Sequence, residues 1–302
     1  MSEYPEYGEL MPGFRWHDID AGGVRIRAAV GGSGPPLLLL HGHPQTHLTW
    51  HKVAPELARR FTVVATDLRG YGDSEKLPGD PEHRNYSKRA MAADQVAAMA
   101  TLGFDRFAVV AHDRGARVAH RMALDHPDRV DRIVLIDIAP TATMYAQTNR
   151  EFPTRYFWWF FLIQPFDLPE RMIGADPDHF LDRHLAGQIK IEGALYPKVV
   201  AEYRRCYRDP ATRHAICEDY RAAASIDLDH DAADDEQGRL IEAPLLLLWG
   251  EYGTVGTLFD VLGSWRSKAR AIDGRPLPCG HSPQEEVPEL LLAELDAFFA
   301  TS

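Results

Sequence analysis

The 302-residue sequence has few cysteines, no long apolar run and no excess of basic residues. Its three cysteines, Cys206, Cys217 and Cys279, are odd in number and lack C-x-x-C spacing, which argues against a disulfide framework or a cysteine zinc site. With 33 basic and 44 acidic residues the net charge is −11, so a nucleic-acid partner is not expected. Because the scarcity of cysteine fits a reducing compartment, we expect a cytoplasmic protein.

The sequence also lacks the marks of an exported or membrane-spanning chain. The N-terminal segment MSEYPEYGELMPGF carries acids and prolines where a secretory signal has a basic residue and an apolar stretch. The longest apolar runs, such as 157–163, are too short to cross a bilayer. Since 45% of the residues are hydrophobic, enough to bury a large core, we expect a globular protein with no membrane partner.

Short apolar runs alternate with helix-like segments along the chain. We predict an early hairpin around the turn 21–23 and strands at 16–20, 24–30, 37–40, 61–66, 107–111, 133–136 and 245–249. Helices are predicted at roughly 50–60, 87–102, 115–125 and 285–300. Strands that are apolar on both faces belong in a covered, mostly parallel sheet, so the predicted fold class is α/β.

The stretch from about 140 to 230 interrupts this alternation. It is rich in aromatic residues and arginine and has no convincing central strand, so we interpret residues 140–230 as a helical insertion between two parts of a core, 1–139 and 231–302. The acidic segment 227–236 lacks the glycine and terminal glutamate of a calcium loop and is interpreted as a solvated linker.

One short motif suggests the chemistry. The run Ala111-His112-Asp113-Arg114-Gly115 ends a predicted strand and opens a helix, which is the outline of a nucleophile elbow with Asp in the nucleophile position. A Ser that attacked a saturated carbon would leave an ether, whereas Asp leaves an ester that water can hydrolyse. The sequence therefore predicts displacement at an sp³ carbon by Asp113.

Ester hydrolysis requires a base and an acid that orients it. His281, in Cys279-Gly280-His281-Ser282-Pro283, follows a probable last strand and is the predicted base. Asp137 and Glu251 each follow a predicted strand, and position alone does not separate them as the orienting acid.

A loop after the third predicted strand, His41-Gly42-His43-Pro44, is placed to form an oxyanion hole. The expected donors are the backbone N–H groups of His43 and Arg114. His43, His47 and His51 could instead be metal ligands spaced by four, but Pro44 interrupts that helix and no carboxylate accompanies them. We therefore predict neither a metal nor a cofactor.

Two arginines flank the candidate nucleophile. Arg114 and Arg117 could pair with surface acids, but beside Asp113 they would lower its pKa and could hold a substrate carboxylate by bidentate hydrogen bonds. This favours a small halo-acid or a similar anion as the substrate. Arg121, one turn further along, is expected to be structural.

With these residues in view, the chain resembles the haloacetate and fluoroacetate dehalogenases of the α/β-hydrolase fold. The resemblance extends from about residue 12 to 300. The segments on which it rests are HGHPQTHLTWHKVAP (41–55), DLRGYGDS (67–74), AHDRGARVAHRMALDHP (111–127), LIDIAPT (135–141), CEDYRA (217–222) and CGHSPQEEVP (279–288). It implies a mostly parallel central sheet with an inserted helical lid, and a homodimer.

The resemblance also implies roles for single residues. Asp113 would be the nucleophile, Asp137 rather than Glu251 the acid partner, and His281 the base that activates water. Arg114 and Arg117 would hold the substrate carboxylate. The family's halide pocket is built from lid donors, and the matching positions here are Trp158, Trp159 and Tyr220.

Two positions depart from the family pattern and bear on substrate choice. Relatives that cleave C–F bonds commonly carry a His-Trp pair where this chain has Trp158-Trp159, and His43 stands where Phe is common. Trp158 keeps one N–H donor but cannot become cationic. The resemblance therefore implies hydrolysis of chloroacetate or bromoacetate to glycolate and halide, with fluoroacetate left open.

Two other functions remain as alternatives. An epoxide hydrolase would use the same Asp and His with two lid tyrosines, for which the candidates are Tyr145, Tyr156, Tyr196, Tyr203 and Tyr207. A neutral epoxide would gain nothing from Arg114 and Arg117. A non-catalytic receptor on the same fold is the third class, against which a complete set of Asp113, Asp137 and His281 weighs.

Overall fold

The computed structural model describes residues 8–300, in which eight strands form a single sheet. The strands are β1 Arg15–Asp20, β2 Arg25–Gly32, β3 Pro36–Leu40, β4 Thr62–Thr66, β5 Phe107–His112, β6 Val130–Ile136, β7 Leu245–Gly250 and β8 Ile272–Leu277. Their order across the sheet is β1-β2-β4-β3-β5-β6-β7-β8. The β1–β2 and β2–β4 pairs are antiparallel, and every other pair is parallel. The predicted α/β class is confirmed.

The central strands form because their sequences are continuous apolar runs that helices bury on both faces. Every residue of β5 is buried, and so are four of the five residues of β3. In the parallel register Leu40 pairs with Ala111, His112 with Ile136, and Ile136 with Leu248. The carboxyl ends of β3, β5, β6 and β7 therefore meet at one edge of the sheet, where ligand sites of open α/β sheets form.

Fifteen α-helices surround the sheet in the described residues. They are α1 Ala54–Leu57, α2 Lys88–Thr101, α3 Asp113–Asp125, α4 Thr141–Ala146, α5 Glu151–Arg155, α6 Trp158–Phe161, α7 Leu168–Ala175, α8 Pro177–Gln188, α9 Pro197–Arg208, α10 Pro210–Ala223, α11 Ile226–Glu236, α12 Thr254–Leu258, α13 Val261–Trp265, α14 Pro283–Glu286 and α15 Pro288–Ala300. Short 3₁₀ helices span His47–Trp50, Arg84–Tyr86 and Pro127–Arg129. The helix α3 packs against β5, β6 and α2.

Between the end of β6 and the start of β7, the regular structure of the described chain is entirely helical. Eight helices, α4 to α11, occupy this interval. We propose that residues 140–230 within it form the lid, with the boundaries predicted from the sequence. No helix in the part of the chain that the structure describes is long and apolar enough to span a bilayer. The start of the N-terminal segment that was expected to lack an export signal, residues 1–7, lies outside the described residues.

The prediction of a solvated linker at 227–236 is wrong. The segment forms α11, and Asp227 and Asp234 in it are buried. Asp227, Asp231 and Asp234 follow i, i+4, i+7 spacing, so they share one face of the helix. Arg121, 2% exposed, donates to Asp231 Oδ1 at 2.7 Å and to Asp234 Oδ2. Asp231 and Asp234 therefore neutralise a buried arginine of α3, and Asp227 lies 3.4 Å from Lys88 Nζ, so the carboxylates do not solvate a linker.

Candidate active site

The turn between β5 and α3 lifts Asp113 above the edge of the sheet. Asp113 has φ +46°, a left-handed conformation that costs energy for a non-glycine residue and recurs at functional turns. Small neighbours are required here, because a Cβ on Gly115 would lie 2.4 Å from the His41 carbonyl oxygen and one on Gly42 would lie 2.5 Å from Asp113 Cβ. This is the geometry of a nucleophile elbow.

The carboxylate of Asp113 is 5% exposed and is held in its ionised form. Burial alone would raise the pKa of this carboxyl. The positive charges of His281, Arg114 and Arg117 lower the pKa by more than burial raises it, so the resulting pKa lies well below its usual value. The Oδ2 atom accepts a hydrogen bond from the backbone N–H of His43 at 3.0 Å. The predicted oxyanion-hole donor therefore already contacts the carboxylate.

His281 lies between two carboxylates. Its Nδ1–H donates to Asp137 Oδ2 at 2.5 Å, and its Nε2 is 3.9 Å from Asp113 Oδ1, beyond hydrogen-bond range. The other oxygen of Asp137 accepts from the backbone N–H of Gly250 at 2.8 Å, which fixes the carboxylate at the end of β7. Nε2 is buried without a partner among the described residues, so its lone pair faces the site. Glu251, the competing acid, is exposed.

The pKa of His281 is raised above its ordinary value of 6.5. Burial favours the neutral ring, but the hydrogen bond and the charge of Asp137, together with the charge of Asp113, outweigh it. Tyr156 is a further neighbour that the sequence analysis did not assign to the base, since its hydroxyl oxygen lies 3.2 Å from Nδ1.

Arg114 is fully buried and is anchored by a lid residue. Its Nε and Nη2 donate to the two carboxylate oxygens of Asp219 at 2.8 Å each, and Nη2 also donates to the Asp219 carbonyl at 2.8 Å. Lys88 and Tyr71 donate to the same carboxylate. The remaining nitrogen, Nη1, is buried with no partner in residues 8–300. The guanidinium is therefore fixed with one donor group unused.

Arg117 is buried without a carboxylate partner in the described chain. Its Nη1 donates to the Ala139 carbonyl at 3.0 Å and to Thr141 Oγ1 at 2.8 Å, and its Nη2 contacts Met144 Sδ at 3.2 Å. Burial and the charge of Arg114 lower its pKa to about 10. Its Nε has no partner among residues 8–300. A buried cation that pairs directly with no carboxylate and keeps a donor unused favours an anionic ligand, although the charge of Asp113 nearby partly offsets that of Arg117.

Two lid aromatics lie against the arginines, and a third packs against His184. The Tyr220 ring lies 4.1 Å from Arg114 Cζ, and the Trp159 ring lies 4.8 Å from Arg117 Cζ. Trp158 packs with its ring centroid 4.1 Å from that of His184. All three aromatic side chains are buried, and within the described residues the two indoles make ring contacts but no hydrogen bond.

The sequence matches the α/β-hydrolase fold family over residues 35–288, which is most of the chain. The chain belongs to the α/β-hydrolase family. The resemblance to the haloacetate dehalogenases of this family is also supported by a relative, a fluoroacetate dehalogenase from Burkholderia sp. that is 46% identical over 93% of this chain and 92% of its own.

Two further comparisons show how diverse the relatives of this α/β-hydrolase are. A soluble epoxide hydrolase from Corynebacterium sp. strain C12 is 31% identical over 94% of this chain and 96% of its own. A crystal structure from Salmonella enterica, provisionally described as an acyltransferase, is 60% identical over 96% of both chains, with a TM-score of 0.94. Fold and family are thus shown, whereas the substrate needs a separate argument.

The histidines that the sequence spaces by four have separate partners in this α/β-hydrolase. His47 Nδ1 lies 2.8 Å from Asp67 Oδ1, and His51 Nδ1 donates to the Leu48 carbonyl at 3.0 Å. His43 Nε2 lies 2.9 Å from the Tyr207 hydroxyl. Within residues 8–300 no group of three or more His, Cys, Asp and Glu side chains is arranged to hold a metal ion.

Four residues near the site of the α/β-hydrolase make contacts that were not assigned to them from the sequence; two of them, Tyr156 and Tyr207, were considered there only as lid tyrosines of an epoxide hydrolase. The four are Tyr156 beside the base, Asp219 on Arg114, and Tyr207 and His184 beside His43. Each comes from the helical segment and is adjacent to the core only after folding. His184 is 2% exposed, and its ring centroid lies 4.5 Å from that of His43.

Proposed function

We propose that the protein is a hydrolytic dehalogenase of short 2-haloacids. The observation that carries this proposal is the pairing of an ionised Asp113 with two buried arginines that each keep a donor group unused, Arg114 Nη1 and Arg117 Nε. A 2-haloacid supplies a carboxylate for the arginines and, one bond away, a saturated carbon for the nucleophile. The name of the 46% identical Burkholderia relative, fluoroacetate dehalogenase, supports this assignment.

In the first step Asp113 displaces the halide. Its Oδ2 is held by the His43 N–H, so Oδ1 is the oxygen that attacks the α-carbon. The new C–O bond forms as the carbon–halogen bond breaks, and the electron pair leaves with the halide. The arginines fix the carboxylate end of the substrate, which aligns the α-carbon and converts binding energy into orientation.

In the second step water hydrolyses the ester. His281 Nε2 accepts a proton from the water, whose oxygen attacks Cγ of Asp113. Negative charge develops on Oδ2, where the His43 N–H stabilises it and the backbone N–H of Arg114 is the proposed second donor. Asp137 stabilises the resulting imidazolium through its 2.5 Å hydrogen bond. As the intermediate collapses, the bond from Cγ to the glycolate oxygen breaks, the imidazolium of His281 gives its proton to that oxygen, and glycolate leaves. Asp113 then loses its proton to solvent and both residues are regenerated.

The departing halide needs donors, and we assign them to Trp158, Trp159 and Tyr220. All three side chains are buried; Tyr220 and Trp159 lie against the arginines, and Trp158 lies against His184. Chloride and bromide are the expected leaving groups. Fluoride depends most on such donors, because it is small, strongly hydrated and leaves poorly without replacement hydrogen bonds.

An epoxide hydrolase is the second candidate, and one observation favours it. The Tyr145 hydroxyl is buried with no partner in the described chain, and a lid tyrosine with a free O–H could protonate an epoxide oxygen. The 31% identical Corynebacterium relative bears an epoxide hydrolase name. Against it, an epoxide carries no charge that would compensate the buried Arg117. A receptor without chemistry would not need the 2.5 Å pair between His281 and Asp137.

One assay separates these functions. Purified protein is incubated with fluoroacetate, chloroacetate, bromoacetate and a simple epoxide, and halide and diol are measured. Halide from the haloacetates without diol is the expected result. Diol without halide would support the epoxide hydrolase, and neither product would support the receptor.

We further propose a cytoplasmic homodimer that needs no cofactor and binds no nucleic acid. The acidic charge of −11 supports the last point. Light scattering after size-exclusion chromatography tests the oligomeric state, and activity that survives chelator treatment tests the absence of a metal.

A further inference from the structure

A line of three polar side chains leads from the lid to the candidate halide pocket. The Tyr207 hydroxyl lies 2.9 Å from His43 Nε2, and the Tyr220 hydroxyl lies 3.4 Å from His43 Nδ1. All three side chains are about 1% exposed. The backbone N–H of the same His43 contacts Asp113, so this line ends beside the nucleophile.

The His43 ring must be neutral, and this restricts the hydrogen bonds that it can make. Burial lowers its pKa to about 3, and Arg114 lowers it as well, although Asp113 raises it. A neutral imidazole has one N–H donor and one acceptor nitrogen. The line therefore runs in one of two directions, from Tyr207 toward Tyr220 or the reverse.

Burial alone does not decide the direction, because Tyr207 and Tyr220 are both about 1% exposed and each direction leaves one of their O–H groups without an acceptor in the described residues. We take the direction from Tyr207 toward Tyr220, because Tyr220 is the tyrosine assigned to the halide site, where a ligand can accept its O–H. In the reverse direction His43 Nε2–H would donate to the Tyr207 oxygen. The O–H of Tyr207 would then be a buried donor without an acceptor, because its hydroxyl has His43 as its hydrogen-bond partner in the described residues. An unsatisfied buried donor is unfavourable. In the forward direction Tyr207 donates to Nε2, and Nδ1–H donates to the Tyr220 oxygen. The O–H of Tyr220 is then free for a ligand.

A second observation indicates that a polar ligand belongs at this place. His184 packs against both His43 and Trp158, with ring centroids 4.5 and 4.1 Å away, and neither of its ring nitrogens has a hydrogen-bond partner in residues 8–300. Gln188, one turn along α8, interacts favourably with the ring without reaching hydrogen-bond geometry. Buried polar groups without partners are rare outside ligand sites.

We propose that Tyr207 and His43 are positioning residues that aim the O–H of Tyr220 at the leaving halide. This inference rests on the proposed dehalogenase function and adds a specificity device to it. Because hydrogen bonds in a chain polarise one another, Tyr220 becomes a stronger donor when it accepts from His43. This relay, from Tyr207 through His43 to Tyr220, strengthens one donor of a pocket in which Trp158 stands where relatives that cleave C–F bonds commonly carry His.

The relay predicts an effect that depends on the halogen. Fluoride requires the strongest hydrogen bonds and bromide the weakest, so weakening Tyr220 as a donor should slow C–F cleavage more than C–Br cleavage. A residue that only supported the fold would slow both to the same extent. The ratio of the two rates is therefore the informative quantity.

The test uses Tyr207→Phe, which removes one hydroxyl at the end of the relay that is remote from the substrate. Tyr203→Phe is the matched control, because Tyr203 is a buried tyrosine one turn earlier in α9 whose hydroxyl donates to Glu285 at 3.0 Å, outside the relay. Halide release is measured in a single turnover with fluoroacetate, chloroacetate and bromoacetate. For Tyr207→Phe we expect roughly a tenfold loss with fluoroacetate and at most about threefold with bromoacetate, and an unchanged ratio for Tyr203→Phe.

His43→Phe provides a second variant should Tyr207→Phe fold poorly, since it keeps the backbone N–H and deletes the middle of the relay. It should shift the ratio in the same direction. If wild type does not release fluoride, the chloroacetate to bromoacetate ratio serves instead. Equal losses for all halogens in both variants would overturn the proposal.

Halide binding separates failure of the relay from failure of the proposed function. Bromide and chloride are titrated into wild type and Tyr207→Phe, with the fluorescence of Trp158 and Trp159 as the signal. Weaker halide binding in the variant supports the relay even if no haloacetate is turned over, in which case only the proposed function fails. Equal binding in both proteins, or no halide binding by wild type, would overturn the relay.

Discussion

Replacing Arg117 by Met should separate substrate affinity from folding stability. Arg117 is a buried cation that pairs with no carboxylate in residues 8–300 and keeps its Nε unused. If the substrate carboxylate occupies that position, the variant loses one charge-assisted hydrogen bond, worth about 1.5 to 3 kcal/mol. Since 1.36 kcal/mol is a factor of ten, KM for chloroacetate should rise by about 10- to 150-fold.

The same substitution should change the free energy of unfolding little. Loss of the hydrogen bonds to Ala139 and Thr141 costs about 1 to 3 kcal/mol, whereas relief of an uncompensated buried charge acts in the opposite direction. We therefore expect a net change below about 2 kcal/mol in a urea titration. Chloroacetamide lacks the carboxylate, so the rate at which Arg117→Met reacts with it should be almost the same as that of wild type.

Arg121→Met is the matched control on the same helix. Arg121 is also buried but pairs with Asp231 and Asp234, so its removal leaves buried carboxylates unpaired and should cost about 3 to 5 kcal/mol of stability. Its KM should not change in the folded protein. The reasoning is refuted if Arg117→Met loses that much stability, or if it slows chloroacetate and chloroacetamide to the same extent.

Three further predictions concern the base, its acid partner and the second arginine. The rate of ester hydrolysis should increase with pH as His281 loses its proton, because only the neutral ring accepts a proton from water, and stopped-flow pH profiles check this. Asp113 is neutral in the ester, so there the hydrogen bond and charge of Asp137 remain to raise the pKa of His281. In the free protein the stability from the raised pKa has the opposite sense, being complete below pH 6.5 and lost as pH rises through the folded-state pKa. Asp137→Asn should lower the rate of ester hydrolysis by about a thousandfold or more and that of halide release far less, since the wrong tautomer of His281 is stabilised, and burst kinetics separate the two steps. Arg114→Lys should raise KM for haloacetates by about tenfold or more, because an ammonium cannot bind Asp219 in a bidentate manner and still present a donor; unchanged kinetics would place Arg114 outside the substrate site.

The sheet and the elbow were predictable because their signals are local. Each central strand is a continuous apolar run, and Asp113 is flanked by the small residues that its turn requires. Asp113 and the two competing acids, Asp137 and Glu251, could be placed on strand ends because parallel strands bring their carboxyl ends to one edge, but only the family resemblance favoured Asp137.

The lid contacts were not predictable in the same way. Asp219 is 105 residues from Arg114, and Tyr207 is 164 residues from His43, so no motif spans either pair. These contacts depend on how α8 to α10 pack over the core, which the helical periodicity of each segment does not specify.

The spacing of the aspartates at 227–236 could have shown that this segment is not a solvated linker. Asp227, Asp231 and Asp234 lie on one helical face, and a helix that presents three carboxylates on one side needs a cationic partner. Arg121 of the buried α3 pairs with Asp231 and Asp234, and Lys88 pairs with Asp227. Charge alone suggested solvent exposure, whereas spacing indicated a buried pairing.

In the proposed mechanism Asp113 forms a covalent ester that His281 helps to hydrolyse. His281→Asn keeps an amide donor for Asp137 but removes the base. After incubation with chloroacetate, intact-protein mass spectrometry should show a stable mass increase of one carboxymethyl group, and peptide mapping should locate it on Asp113. A variant that binds glycolate in calorimetry but acquires no adduct, or acquires it on another residue, would contradict the assignment of the nucleophile.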